Sequence, residues 1–263
     1  MSETDPSAIR EAGAPTESRP VAIVTGGSRG IGAAIVLRLA RAGYDIVTTF
    51  RTEADAAGRV AASAREAGAQ IVTVQADLAT DAGIDAPFDV AISRFGRLDA
   101  VVANAGLTTR YAGLVETPVE EIRQTIDVDF TATVLTARRA VREFTRRGTP
   151  GVIVTMSSGA ATIGSPGEYV HYAAAKAAVD AFTMGLGKEV GPLGIRVAGV
   201  APGLVDTDLH ARTGDATRAQ RMAAGIPLQR AAEPDEIAAA VEWLLSAEAS
   251  YVTATTLRVA GGR

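Results

Sequence analysis

The sequence predicts an α/β protein: a single Rossmann-type, doubly wound, parallel seven-stranded sheet with helices on both faces. Three observations predict it. The chain has 263 residues, 47% of them hydrophobic, enough for one substantial core. Seven short apolar or β-branched runs alternate with Ala-rich stretches of helical spacing, a pattern that demands right-handed crossovers covering both sheet faces. The first of these runs leads into a Gly-rich turn that opens a helix.

Residues 1–19 are polar and aperiodic and read as a disordered tail, leaving 20–263 as one domain. Strands are expected at 21–25, 45–49, 71–75, 98–103, 152–156, 195–201 and 255–259, where Val, Ile and Thr recur. Helices are expected near 31–42, 54–67, 81–95, 119–146, 170–190 and 234–246. Three starts carry local signals: Asp81, Pro118 before Glu120 and Glu121, and Pro234 before Asp235 and Glu236. The polar, Gly-containing stretch 203–225, with Asp206, Asp208, His210 and Arg212, breaks the alternation and reads as a lid over a substrate pocket.

Composition excludes several chemistries. Without Cys there is no disulfide scaffold, thiolate zinc site, iron–sulfur cluster or cysteine nucleophile, and two His do not make a His-rich metal centre. A net charge of -4 with no basic run argues against nucleic acid as a partner. No apolar stretch reaches the ~20 residues of a membrane span, and the N-terminus lacks a basic-then-apolar leader, so a cytoplasmic protein with no membrane or metal is expected. Among the 26 basic residues only Lys176 and Lys188 are Lys. Coding bias accounts for the Arg excess, yet a Lys in such a chain marks a place where a guanidinium fork would fail.

The Gly-rich turn reads Thr25-Gly26-Gly27-Ser28-Arg29-Gly30-Ile31-Gly32. Glycines admit a close backbone approach, and the helix start offers free N–H groups and a positive dipole end to a pyrophosphate. The second strand ends Thr48-Thr49-Phe50-Arg51-Thr52, with no carboxylate at its tip to hold a ribose 2′-hydroxyl. Arg51 and Arg29 instead suit a 2′-phosphate, favouring NADP(H) over NAD(H).

Tyr172 and Lys176 lie four apart on a predicted helix, hence on one face. A free phenol titrates near 10, and a neighbouring ammonium favours the phenolate, which suits an acid–base. The preceding strand ends at Ser157-Ser158, at the carboxyl edge of the sheet where open α/β folds place ligands.

Over residues 20–263 the chain resembles the short-chain dehydrogenase/reductase family. The motifs that carry the resemblance are Thr25-Gly26-x-x-x-Gly30-x-Gly32, Asp77-Leu78, Asn104-Ala105-Gly106, Ser158, Tyr172-x-x-x-Lys176, Pro202-Gly203 with Thr207, and the closing Val259-Ala260-Gly261-Gly262. The segment 164–172 is similar to bacterial uncharacterised oxidoreductases, which are themselves similar to 3-oxoacyl-acyl-carrier-protein reductases and glucose 1-dehydrogenase-like enzymes. The resemblance implies hydride transfer between nicotinamide and a carbonyl or secondary alcohol. Tyr172 would be the acid–base, Lys176 would tune it and hold ribose hydroxyls, and Ser158, rather than its rival Ser157, would bind the substrate oxygen. Asp77 and Leu78 would meet the adenine. Asn104, Ala105 and Gly106 would line the groove, and Pro202, Gly203, Val205 and Thr207 would face the nicotinamide. Tyr169 has no Lys four residues on and is set aside, as is His171. A homotetramer is implied, with a dimer as the alternative.

The chain departs from the family pattern at Asp129, where Asn is usual. The carboxylate either pairs with Lys176 and weakens a water relay, or accepts the same water and changes little. Ala103, Ala260 and the run Thr253-Ala254-Thr255-Thr256 are further departures, the last in place of a Thr-Gly turn. A catalytically impaired cofactor-binding sensor or scaffold is the rival reading. The intact Ser–Tyr–Lys set argues for an enzyme.

Overall fold

The computed structural model describes residues 19–108, 110–207 and 222–263. The proposed tail and the middle of the proposed lid, including Asp208, His210 and Arg212, lie outside the described residues apart from Arg19. Arg19 is anchored: its Nε lies 3.3 Å from Asp45 Oδ1, and its Nη2 donates to the Ala40 carbonyl at 3.1 Å.

Seven parallel strands form one sheet: β1 (Val21–Val24), β2 (Asp45–Phe50), β3 (Ile71–Gln75), β4 (Ala100–Ala103), β5 (Gly151–Met156), β6 (Ile195–Pro202) and β7 (Thr255–Val259). Their order is β3-β2-β1-β4-β5-β6-β7. The chain winds outward from β1 to β3, then crosses to β4 and winds the other way. The carboxyl ends of β1 and β4 thus flank a crevice.

Strand alternation supplies a separate core to each face. Ala22 and Val24 join Val102, Val154 and Val200 on one face. There they meet Ile35, Val36 and Leu39 of α1 (Gly30–Arg41) and Ile237, Val241 and Leu244 of the last long helix, α8 (Pro234–Leu245). Val21 and Ile23 face the other way with Val101, Ile153 and Val197. Phe88 of α3 (Asp81–Phe95) and Phe144 of α5 (Ala132–Arg147) close that side, both fully buried. Each such side chain contributes about 1.5–3 kcal/mol of burial free energy. The register of α1 on α8 is tied by Arg38, which pairs with Glu242 and, at 2.6 Å, with Asp235.

Among the described residues the remaining α-helices are α2 (Ala54–Glu66), α4 (Val119–Ile126), α6 (Ala160–Ile163) and α7 (Val170–Val190). The sequence predicts one helix across 119–146. The helical backbone does run through this range to Arg147, with a π-helical turn at Asp127–Thr131 between α4 and α5. A π turn inserts one residue and so rotates the side chains that follow it. Here it buries Asp129 completely.

Of the family departures, Ala103 ends β4 and is buried. Ala254, just before β7, adopts a left-handed φ of 57°. Its N–H donates to the Val197 carbonyl at 2.7 Å, which holds it there against the Cβ penalty.

Candidate active site

A cleft of about 750 Å³ runs along the carboxyl edge of the sheet. Its lining includes every expected site residue: Gly26, Ser28, Arg29, Gly30, Ile31 and Gly32; Arg51 and Thr52; Asp77 and Leu78; Asn104, Ala105 and Gly106; Asp129, Ser158, Tyr172 and Lys176; Pro202, Gly203, Val205 and Thr207. His171 is buried and absent from the lining, and Lys188 is exposed in the last turn of α7.

The turn after β1 is shaped by close approach. Gly26 has a φ of 69°. A Cβ on Gly32 would lie 2.2 Å from the Gly26 carbonyl oxygen and 2.5 Å from Asn104 Nδ2. Asn104 itself is structural here, for its amide donates to the carbonyls of Thr25 at 2.9 Å and Gly26 at 3.2 Å. Thr25 Oγ1 accepts the N–H groups of Asn104 and Ala105, both at 3.0 Å, and Thr49 Oγ1 accepts that of Gly26 at 3.0 Å. These two threonines stitch the turn to β4 and β2 across the crevice. The sequence marks Thr25 as part of the glycine motif but gives neither threonine this bracing role, because a Thr that braces a turn carries no pattern of its own.

Arg29 precedes α1 in an extended conformation, and no side chain caps the helix start. Free N–H groups at a helix start behind a shaped glycine turn fit a pyrophosphate. Asp77 accepts the Ala79 N–H at 3.1 Å, which turns the chain at the rim of the cleft. The residues present therefore fit a dinucleotide.

At the other end of the cleft, two neighbouring serines divide. Ser157 is buried and donates to the Lys176 carbonyl at 3.2 Å. Ser158 lines the cleft and accepts the Ala160 N–H at 3.1 Å, and its hydroxyl is among the groups that act on the Tyr172 phenol. Lys176 is nearly fully buried, and its Nζ donates to the Met156 carbonyl at 3.0 Å. It lies 3.1 Å from Asp129 Oδ1 and 5.7 Å from the Tyr172 ring centroid. Of the two options open for Asp129, the structure takes direct pairing with Lys176.

This arrangement changes the expected electrostatics. The sequence predicts that Lys176 lowers the phenol. Burial instead pushes Tyr172 above the ordinary tyrosine value, the Asp129 charge pushes it further, and the Ser158 hydroxyl opposes them. The physical reason is that the nearest ammonium is already neutralised by a carboxylate. Burial also pushes the Asp129 carboxyl up, against the pull of Lys176 and the Leu107 N–H.

Tyr169, set aside from the sequence, stands in the cleft. Its ring meets Tyr172 edge-on at 5.2 Å and leans on Tyr111 at 5.3 Å, so three phenols form one wall. Helical spacing from a Lys selects an acid–base pair, but it is blind to a residue at the helix start that only walls the pocket. Glu53 was likewise missed, although it lines the cleft and pairs with Arg29 at 3.3 Å. Among the described residues no helix is long and apolar enough to cross a membrane, and no group of His, Asp or Glu could hold a metal ion.

Comparison with known proteins agrees with the geometry. A family model described as enoyl-(acyl carrier protein) reductase matches residues 26–263. An uncharacterised oxidoreductase of Escherichia coli (strain K12) is 39% identical over 92% of this chain and 99% of its own. A short-chain dehydrogenase from Burkholderia cenocepacia, solved in complex with NADP, is 34% identical and superposes with a TM-score of 0.85, covering 93% of this chain and 97% of that one. A 3-ketoacyl-(acyl-carrier-protein) reductase from Brucella melitensis, solved with NADH, is 31% identical with a TM-score of 0.85, covering 93% and 98%. With its sheet order, glycine turn and Ser–Tyr–Lys cluster in one cleft, the chain belongs to the short-chain dehydrogenase/reductase family of oxidoreductases.

Proposed function

We propose that this protein is an NADP(H)-dependent oxidoreductase that interconverts a carbonyl compound and its secondary alcohol, with Tyr172 as the acid–base. The observation that carries this reading is the convergence of Ser158, Tyr172 and Lys176 with the glycine turn in one cleft. A carbonyl oxygen seated between two hydroxyls is polarised without a metal. When bound, the reduced nicotinamide supplies a hydride. In reduction the carbonyl carbon gains that hydride with its electron pair, the carbonyl π bond breaks, and the oxygen takes the Tyr172 proton. Tyr172 is then reprotonated from solvent.

Two more features support the reading. Lys176 is held by the Met156 carbonyl and by Asp129 with its head toward the cleft, where ribose hydroxyls would lie. Arg29 and Arg51 line the other end and favour a 2′-phosphate, hence NADP(H). By the family resemblance we propose a homotetramer, with a dimer as the alternative. Light scattering on the purified chain distinguishes them.

A panel of ketones and aldehydes with NADPH tests the activity. Oxidation of NADPH is expected on some of them, and Tyr172→Phe should lower turnover by at least about 100-fold while NADPH still binds. NADPH binding without turnover on any carbonyl would overturn the enzymatic reading. A clear preference for NADH would overturn the cofactor assignment.

A further inference from the structure

We propose that Asp129, by pairing with Lys176 inside the fold, is a positioning residue that keeps Tyr172 in its proton-donating form, so that the protein reduces carbonyls at neutral pH and oxidises alcohols only in alkaline conditions. The proposal rests on the oxidoreductase reading above and gives that reaction a preferred direction.

The π turn delivers Asp129 into the interior with no solvent exposure. Its carboxylate has two neighbours that stabilise charge: Lys176 Nζ at 3.1 Å, and the Leu107 N–H at 3.3 Å from Oδ1 and 3.4 Å from Oδ2. Gly106 walls the pair, since a Cβ there would lie 2.7 Å from Asp129 Oδ1 and 3.4 Å from Lys176 Nζ. The ammonium is thus held from two sides, by Asp129 and by the Met156 carbonyl.

The groups that surround or act on the Tyr172 phenol come from four places in the fold, and Glu121, Glu168, Arg110 and Arg258 are further charged groups of the same cleft. Ser158 follows β5, Tyr111 comes from the loop after β4, Tyr169 and Lys176 come from α7, and Asp129 comes from the π turn. The Ser158 hydroxyl favours the phenolate, while burial and the charges of Asp129, Tyr169 and Tyr111 act against it. In the alkaline range where a phenol ionises, Asp129 is a carboxylate, so its charge meets any phenolate with repulsion. Reduction needs the phenol, which gives its proton to the nascent alkoxide. Oxidation needs the phenolate, which takes the alcohol proton as hydride leaves for the oxidised nicotinamide. The same pair therefore assists one direction at neutral pH and delays the other.

Absorbance near 295 nm reports tyrosinate directly. Titrating the cofactor-free protein and its Tyr172→Phe variant isolates Tyr172 by difference from the other tyrosines. The expected result is a Tyr172 midpoint above the ordinary value of about 10. In Asp129→Asn it should fall by about one pH unit, and the alkaline limb of alcohol oxidation should move down with it. At pH 8 the ratio of oxidation to reduction would then rise about tenfold in the variant. A wild-type midpoint at or below the ordinary value overturns the proposal, even if Asp129→Asn does not fold. So does a folded Asp129→Asn whose thermal stability changes while neither midpoint moves, since that is a purely structural role. Absence of turnover on every carbonyl defeats the oxidoreductase reading, and the absorbance titration still decides the state of Tyr172.

Discussion

Arg29 Nη1 lies 3.3 Å from Glu53 Oε1, joining the residue before α1 to the residue before α2 across the mouth of the cleft. Both side chains are more than a third exposed, so the pair itself adds little stability. Its consequence is for the ligand. A 2′-phosphate would share Arg29 with a carboxylate and meet that carboxylate's charge. Glu53→Gln should therefore raise the ratio of NADPH to NADH efficiency by roughly three- to fivefold, the scale of an exposed ion pair. Steady-state kinetics with both cofactors checks this, and an unchanged ratio would show that Glu53 does not reach the phosphate.

The three-phenol wall predicts a substrate effect. Tyr169 contributes a ring face next to Tyr172 and no proton. Tyr169→Ala should raise KM for a ring-bearing ketone such as tetralone by roughly five- to tenfold, the size of a lost aromatic contact, and Tyr169→Phe should not. A short linear ketone should show a smaller change in KM. Equal losses on both substrates would mean that the variant disturbs Tyr172 instead.

At Gly32 the backbone approach leaves no room for a side chain. Gly32→Ala should weaken NADPH binding by more than about tenfold while the circular dichroism spectrum is kept. Calorimetric titration with NADPH reads this, and wild-type affinity in the variant would remove the turn from the binding site.

A buried carboxylate on α5 predicts acid sensitivity. Glu143 is 3% exposed and takes hydrogen bonds from Arg146 at 2.6 Å and Arg139 at 3.1 Å. Burial pushes its carboxyl up, yet the two guanidinium groups outweigh this and hold it below the ordinary value. A carboxyl lowered on folding stabilises the fold above its unfolded pKa, and that contribution is lost as pH falls through the folded pKa. Glu143→Gln should cost about 1–2 kcal/mol at pH 7, and the cost should shrink as pH falls below the ordinary carboxylate range, as read by urea unfolding over a pH series. A cost independent of pH would assign the loss to packing.

Ala254 predicts a change of the opposite sign. Its φ of 57° costs an L-residue about 1–2 kcal/mol, and glycine gives back part of that gain through its freer unfolded chain. Ala254→Gly should raise stability by about 0.5 kcal/mol. A loss would show that the Ala254 methyl packs to more effect than its backbone strains.

The strands were legible because β-branched runs at regular spacing leave few alternatives. The observed β3 (Ile71–Gln75) and β7 (Thr255–Val259) coincide with the expected ones. Tyr172, Lys176 and Ser158 stood out because their spacing has a chemical purpose. The π turn at Asp127–Thr131 was not legible, since a single inserted residue shifts the apolar phase too little to stand out in an Ala-rich helix. Nor were the places of Tyr169 and Glu53 or the bracing by Thr25 and Thr49, which depend on what lies across the cleft.

The sequence by itself determined the doubly wound sheet, the glycine turn at its first strand and the Tyr172–Lys176 face, because each depends on periodicity or on residues a few positions apart. Only the tertiary structure decided that Ser157 turns to the Lys176 carbonyl, that Asp129 grips Lys176, and that burial pushes the Tyr172 phenol up. Those outcomes depend on the dielectric surroundings and on distances between residues far apart in the chain, and these exist only once the sheet has brought β4, β5 and α7 to one edge.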